Sequence, residues 1–343
     1  MNLFAFIALS AFFTVSASSI NLGRMFRNWM NEHSIQYDTT EIEGYAFDKW
    51  VENHNYIDRV NSMNLTYQLG HNQFSALSHD EYLNMVRGYR GLQVRSQNLN
   101  SGWRNRNLQT TTGYAAPTSV DWVSAGAVTG VKDQGQCGSC WSFSTTGALE
   151  GAYYLKYGTL TSFSEQQLVD CDNYASGGKD HGCNGGLMDN AFAWIGKNNG
   201  LCTESDYPYV SGTTKTAGSC AKKCVSVTGS DIVKYIDVAS NSDSAMMSAL
   251  AVQPVSIAIE ADQRDFQLYK SGVFTGTCGT NLDHGVLAVG YGTIDGLDYY
   301  RVKNSWSNSW GDQGYIYLGR GAKYNNGAGQ CGILMEASYP ILA

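Results

Sequence analysis

The sequence predicts an α+β fold of two lobes, preceded by a mainly helical N-terminal region. Two patterns carry that prediction. Apolar residues recur at three-to-four spacing over about 20–88 and again after Cys140, as amphipathic helices require. After about residue 225, short β-rich runs separated by Gly-rich turns replace that period. Helices first and strands later argue for α+β with two lobes rather than a βαβ repeat. The composition agrees: 43% hydrophobic and 15% charged residues is globular, and 38 Gly against 4 Pro favours tight turns over Pro-rich linkers.

Taken in order, residues 1–17 read as a signal peptide. The run Leu3 to Val15 is nearly all apolar, and Val15-Ser16-Ala17 offers small residues for cleavage. The segment before it lacks Lys and Arg, so a membrane anchor is the alternative, although a span needs ~20 residues. Residues 18–115 form the next unit. Leu22, Met25, Phe26, Trp29 and Met30, then Phe47, Trp50, Val51, Ile57 and Val60, mark helices. Residues 88–115 are rich in Gly, Arg, Asn, Gln and Thr without period, which is a cleavable linker. Residues 116–343 form the last unit. A helix follows Cys140 with Phe143, Leu149, Ala152 and Leu155 expected inward. Ser164 precedes Gln167 at capping-box spacing and opens a second helix through Leu168. Val286–Val289, Tyr299–Val302 and Tyr315–Leu318 read as strands.

Charge narrows the partners. Residues 1–115 hold equal numbers of each sign, so 116–343 carry the whole net charge of −7. An acidic unit is repelled by nucleic acid and by anionic membranes. All nine cysteines lie after residue 136. An odd number in an exported chain predicts disulfides plus one free thiol.

Cys137-Gly-Ser-Cys140 is a C-x-x-C, which by itself allows a redox pair or half a zinc site. No βαβ alternation precedes it, and the other close pair, Cys220 and Cys224, has a different spacing. The wider segment, Gln134-Gly-Gln-Cys-Gly-Ser-Cys140-Trp141, contains the C-G-[SA]-C-[WY] pattern, a known mark of papain- and cathepsin-type enzymes. Asp283-His284-Gly285 and Lys303-Asn304-Ser305-Trp306 follow in the order Cys, His, Asn. Gly182-Cys183-Asn184-Gly185-Gly186, Tyr207-Pro208-Tyr209, Gln253-Pro254-Val255 and Ser338-Tyr339-Pro340 add landmarks over nearly the whole chain. Asn53, Ile57 and Asn61, then Gly70, Asn72 and Phe74, match proregion motifs. On these residues the chain resembles a papain-like cysteine protease, a cathepsin L-like zymogen.

The resemblance implies a papain-like fold, with a helical lobe, a β-barrel-like lobe and a helical inhibitory propeptide over 18–115. It implies Cys140 as nucleophile, His284 as its base, Asn304 as orienter of the imidazole and Gln134 as oxyanion donor. Of six histidines only His181 and His284 follow residue 115, and His181 lies in a Gly-rich, solvated stretch. Trp306 would shield the His–Asn bond. Substrate would meet Gly185, Gly186, Leu187, Met188, Ala258, Leu282, Asp283, Gly285, Trp306 and Glu336. Most of these suit Leu, Val or Phe, while Glu336 either admits Arg or turns to solvent. Family similarity pairs Cys137–Cys183, Cys171–Cys220 and Cys278–Cys331, leaving Cys202–Cys224; exchange between Cys220 and Cys224 stays open.

The 12-residue step from Cys171 to Cys183 is too short for the large His-bearing loop of cathepsin B, so endopeptidase action is expected. Neither metal nor cofactor is implied. Expected partners are protein and peptide substrates, the chain's own propeptide and cystatin-like inhibitors, with no nucleic acid, no membrane after signal removal, and a monomeric state. The secretory route leads to a lysosome or vacuole, or outside the cell. The sequon Asn64-Leu65-Thr66 lies in the proregion. Two departures stand out: Ala46 where the first proregion motif has Arg, and Ala76 where the second has Asp. They predict weaker proregion packing or altered pH-sensitive release, which is expected between about 105 and 116. An inactive homologue that only binds proteins is the rival class, but such chains usually lose the nucleophile.

Overall fold

A computed structural model describes residues 17–86, 116–221 and 224–343. The expected signal peptide, 1–17, lies outside the described residues but for its last residue, Ala17, and so does the linker with its cleavage region up to residue 115. Three helices build the N-terminal unit: α1 (Ala17–Glu32), α2 (Thr40–Asn61) and α3 (His79–Val86). Thr39 caps α2, its side chain accepting from the Ile42 N–H. The expected apolar positions from Leu22 to Val51 meet in one cluster, with Phe26 at 5.5 Å from Trp29 and 5.2 Å from Phe47 between ring centroids, while Ile57 and Val60 turn to the core of the sheet lobe. Ala46 and Ala76, the two departures, are both buried in this same cluster. Both positions are thus surrounded by apolar packing.

The helical lobe rests on α4 (Cys140–Tyr157), α5 (Glu165–Cys171) and α6 (Met188–Lys197). Every residue of α4 from Cys140 to Ala152 is buried, because the other helices cover one flank and the sheet the other. Leu155, expected inward, is 43% exposed, since the last turn of α4 leaves that seam. Gly158 ends the helix in the left-handed region at φ 73°. Ser164 caps α5 as its spacing predicts, accepting from Gln167 N. The reciprocal half of the capping box is replaced: Gln167 Oε1 accepts from Cys202 N, and Ser164 N donates to the Cys202 carbonyl.

The second lobe contains a nine-stranded sheet among the described residues. Its strands are β1 (Tyr67–Leu69), β2 (Val120–Asp121), β3 (Ile232–Asp237), β4 (Val255–Ile259), β5 (Tyr269–Phe274), β6 (His284–Ile294), β7 (Leu297–Lys303), β8 (Tyr315–Gly319) and β9 (Ala337–Leu342). The order is β1-β5-β8-β7-β6-β4-β9-β3, with β2 on β6; all pairs are antiparallel except β5 with β8. A short helix, α7 (Asp243–Leu250), packs on β6. The structure joins Cys137–Cys183, Cys171–Cys220, Cys202–Cys224 and Cys278–Cys331, and Cys140 is the free cysteine.

The N-terminal unit docks on the sheet lobe as an added strand. β1 pairs with β5, and Ile57, Val60, Tyr67, Leu69, Phe74 and Tyr82 enter that lobe's core. Polar contacts fix the register: Gly70 N donates to the Leu268 carbonyl at 2.8 Å, Asn72 Nδ2 to the Gln267 carbonyl at 2.8 Å, and Tyr56 and Tyr67 both donate to Asp265. His71 sits between Gly70 and Asn72. Its ring stacks on Trp50 at 4.2 Å, and its Nε2 lies 3.1 Å from His54 Nδ1. His54 in turn faces Asp58 at 3.5 Å.

Burial, with His54, His33 and Lys270 nearby, lowers His71 to about 3. A histidine held low when docked binds its proton more readily when released, so docking is full above about pH 6.5 and is lost as pH falls toward about 3. We expect His71→Phe, in a Cys140→Ala background, to keep the stack and move acid release to lower pH by about one unit or more. Hydrogen exchange at Leu69 and Gly70 across pH 7 to 3 would show it; an unmoved midpoint excludes His71 as the acid-sensitive group.

Candidate active site

Cys140 is the first residue of α4, and His284 is the first residue of β6. Ser139 holds the N-cap position without a side-chain cap; its hydroxyl instead meets the Tyr209 hydroxyl at 2.7 Å. The positive end of the α4 dipole is thereby left facing the sulfur. Cys140 Sγ accepts from Gly285 N at 3.3 Å, which ties the thiol to the residue after His284.

The imidazole tautomer follows from geometry. Ser305 N can only donate, and it donates to Asn304 Oδ1 at 2.8 Å. His284 Nε2 lies 2.8 Å from that same oxygen, so Nε2 carries the proton and Nδ1 the lone pair. Nδ1 is buried and has no hydrogen-bond partner. Trp306 stacks on the imidazole at 4.6 Å between centroids, covering the His–Asn bond. Phe74 and Tyr82 of the N-terminal unit pack edge-on against Trp306, and Gln73 Nε2 donates to its carbonyl.

The site is dry in this state. Burial pushes the Cys140 thiol up to about 12 and the His284 imidazole down to about 4, so both are neutral near pH 7. Asp283 next door is also raised by burial, to about 7, while its Oδ1 accepts from Ala261 N.

Gln134 is buried, with Nε2 donating to the Cys137 carbonyl at 3.0 Å. An amide has two N–H groups, so one remains for a second acceptor. Two positioning contacts on Gln134 were invisible as roles in the sequence. Ser305 Oγ donates to Gln134 Oε1 at 2.6 Å, and the Tyr209 hydroxyl donates to the Gln134 carbonyl at 2.8 Å. The only signal was their place in motifs, one beside Asn304 and one in Tyr207-Pro208-Tyr209.

Leu187, Met188, Ala258 and Leu282 gather in one apolar cluster with Cys140 and Trp141. Gly285 pairs with Ala258 across β4 and β6, and a Cβ on it would lie 3.2 Å from Met188 Sδ. A Cβ added at Gly186 would come closer still, 2.6 Å from the Trp141 ring. Gly185 has φ 99°, a left-handed backbone that favours glycine. Glu336 borders this wall through its carbonyl, which accepts from Ala258 N at 3.0 Å. His181 is exposed, against Tyr174, and stands apart from the Cys140–His284 site. Among the described residues no group of three or more His, Cys, Asp or Glu is placed to hold a metal.

Comparison with known proteins identifies the architecture. Residues 116–341 match the model described as papain family cysteine protease, and residues 26–82 match the cathepsin propeptide inhibitor domain. The chain is 46% identical over 330 residues to "Probable cysteine protease RD21B" of Arabidopsis thaliana, covering 95% of this chain and 68% of that protein. It is 46% identical over 341 residues to "Cysteine endopeptidase RepA" of Oryza sativa subsp. japonica, covering 95% and 87%. Among solved structures, the ragweed pollen allergen Amb a 11 cysteine protease in its proform superposes with TM-score 0.84 at 36% identity, covering 95% of each chain. Procathepsin L 3 of Tenebrio molitor larval midgut gives 0.79 at 36%, covering 93% and 98%.

The neutral thiol sets a chemical expectation. In the intact chain at pH 7, iodoacetamide should alkylate Cys140 at least about tenfold more slowly than after removal of the segment before residue 116. Equal rates by mass spectrometry would mean that burial does not hold the thiol protonated.

Proposed function

The chain belongs to the papain family of cysteine proteases, and we propose that Cys140 and His284 form its thiolate–imidazolium pair. One observation carries this reading above the others: Asn304 holds His284 by Nε2, which leaves Nδ1 as the unbonded base at the cysteine site. The Cys140 proton passes to His284 Nδ1, and the thiolate attacks the scissile carbonyl. The oxyanion takes hydrogen bonds from the free Gln134 Nε2–H and the Cys140 N–H. His284 then gives its proton to the leaving amine, forming a thioester. Water, deprotonated by His284, hydrolyses that thioester and restores the thiol. Asn304 keeps the ring in line, and Trp306 keeps water off their bond.

The enzyme is a zymogen with its own propeptide as inhibitor, released in acid between about 105 and 116. Residues 116–343 are then the mature unit. Its class is endopeptidase, for the short Cys171–Cys183 loop leaves no room for an exopeptidase stop. We place it on the secretory route, in a lysosome or vacuole or outside the cell, as a monomer open to cystatin-like inhibitors. Leu187, Met188, Ala258, Leu282 and Gly285 form the pocket for the residue two before the scissile bond, with Gly185, Gly186 and Asp283 along the cleft.

Acid-processed enzyme should bind an epoxide inhibitor of cysteine proteases one-to-one at Cys140, and His284→Ala should lower peptide hydrolysis by about 10³-fold or more. A folded, processed chain without labelling or turnover would instead be a protein-binding homologue. Glu336 at the pocket edge predicts that its charge admits Arg, so that Arg-Arg substrates are cleaved. Comparing Leu-Arg with Arg-Arg fluorogenic peptides across pH tests this, and no Arg-Arg cleavage at any pH removes the role.

A further inference from the structure

Beneath the cleft, outside the catalytic residues, two buried carboxyls face each other. Asp172 follows the end of α5 and is fully buried; Asp180 is 2% exposed. Backbone ties lock them together, with Asp180 N donating to the Asp172 carbonyl at 3.0 Å. Each uses Oδ1 on a donor of its own. Asp172 Oδ1 accepts from Lys179 N at 3.0 Å. Asp180 Oδ1 accepts from Leu187 N at 3.1 Å and from Asn190 Nδ2 at 2.9 Å. Each leaves Oδ2 buried with no donor from any other group.

The cationic answer to these charges is weak: burial raises Asp172 and outweighs the Lys179 charge, which lowers it. Lys179 meets Asp172 through its backbone, and its side chain is exposed. His181 is also exposed, turned toward the Tyr174 ring. The α6 side offers only the neutral Asn190 and the Leu187 N–H, and the α4 side offers Trp141. Two carboxylates in such a place repel each other with water excluded. Two buried oxygens without donors each cost free energy as well. A single proton removes both problems, because one Oδ2 then donates to the other across the pair that the bond from Asp180 N to the Asp172 carbonyl holds together.

We propose that Asp172 and Asp180 share one proton, and that this proton keeps the Gly185–Leu187 wall in its substrate-binding position. The link to the wall is direct. Asp180 holds Leu187 N, and a Cβ added at Gly186 would lie 2.7 Å from Asp180 Cγ and 2.6 Å from Trp141. Gly186 is thus clamped between the acid pair and α4. If the proton leaves, the carboxyls repel, Asp180 moves, and the wall moves with it. Burial acts in the same direction, raising both carboxyls, with Asp180 further raised by the Asp172 charge. Asp180 is therefore a positioning residue, and the wall is built to be used in acid. This inference rests on the reading of Gly185–Leu187 as a substrate wall.

Two measurements test its two halves separately. Infrared difference spectra of the full chain carrying Cys140→Ala, with ¹³C-labelled aspartate, should show a protonated carboxyl at pH 7 that Asp180→Asn and Asp172→Asn each remove. Absence of that band overturns the shared proton, whatever the cleft binds. In the processed enzyme, KM for a Leu-Arg peptide should rise at least about tenfold as pH climbs through loss of the band, with kcat little changed. Asp180→Asn, which needs no proton to be neutral, should keep KM flat over that range. A band with an unchanged KM limb in Asp180→Asn overturns the positioning role. A chain that shows the band but binds no peptide retains the shared proton and refutes the substrate-wall reading instead.

Discussion

The close approach of α4 to the sheet is the constraint on which the rest of the molecule depends. Cβ atoms at Gly147 and Gly151 would lie 2.8 Å from Leu287 and 2.6 Å from Pro254, so only glycine lets the helix sit that near. Small hydroxyl residues then stitch the seam: Ser144 Oγ donates to the Val286 carbonyl at 2.7 Å, and Ser256 Oγ to the Ser144 carbonyl at 2.8 Å. Cys140 and His284 are the first residues of the two elements that meet there. Neither depends on a loop for its position. A few tenths of an ångström of separation along the seam would carry directly to the Gly285 N···Sγ contact. That is why α4 is buried on all sides over its first thirteen residues, at the cost of any amphipathic pattern.

Burial along this seam has opposite effects on different groups, and reach of a counter-charge decides which. Lys132 bridges Glu150 at 2.9 Å and Glu165 at 2.5 Å at the base of the cleft, and Thr129 and Lys303 complete the cluster. Coulombic support from the acids outweighs desolvation at Lys132, which is raised, and Glu150 is lowered in turn, whereas at Lys303 desolvation wins and lowers it to about 8. Cys140 and His284 lack such outside partners, so desolvation wins and both turn neutral. Latency therefore does not require a distorted site. The orienting bond to Asn304 is already made, and burial holds both groups in their neutral forms.

The sequence made the motif residues legible and left their supports hidden. Cys140, His284 and Asn304 carry unusual neighbours at long spacing, and cysteine parity marks one thiol as odd. Leu155 shows where periodicity misleads: it continues the apolar phase of α4, but the helix has left the seam by that turn. Gln167 shows the same for caps, since a tertiary donor, Cys202 N, took its side chain. Ser305, Tyr209 and Asp180 act through single hydrogen bonds to residues 171, 75 and 7 positions away, and no local pattern records such a bond. The paired Ala46 and Ala76 read as two separate losses in the sequence. In space they are one apolar contact cluster, because pairing across α2 and the following loop is a property of the fold.

His71 and Asp180 obey one rule and respond to acid in opposite senses. Desolvation favours whichever form is neutral. For a buried imidazole that is the form without the proton; for a buried carboxyl it is the form with it. Acid therefore works against the strand pairing that His71 stabilises and toward the wall that the Asp172–Asp180 pair holds. The first group sits in the N-terminal unit that docks on the sheet lobe, and the second sits under the Gly185–Leu187 wall. A fall in pH thus loosens the docked strand and firms the wall with no signal passing between them. Each site answers to its own burial and its own neighbouring charges, and the two outcomes fit together because each group was built into a different side of the interface.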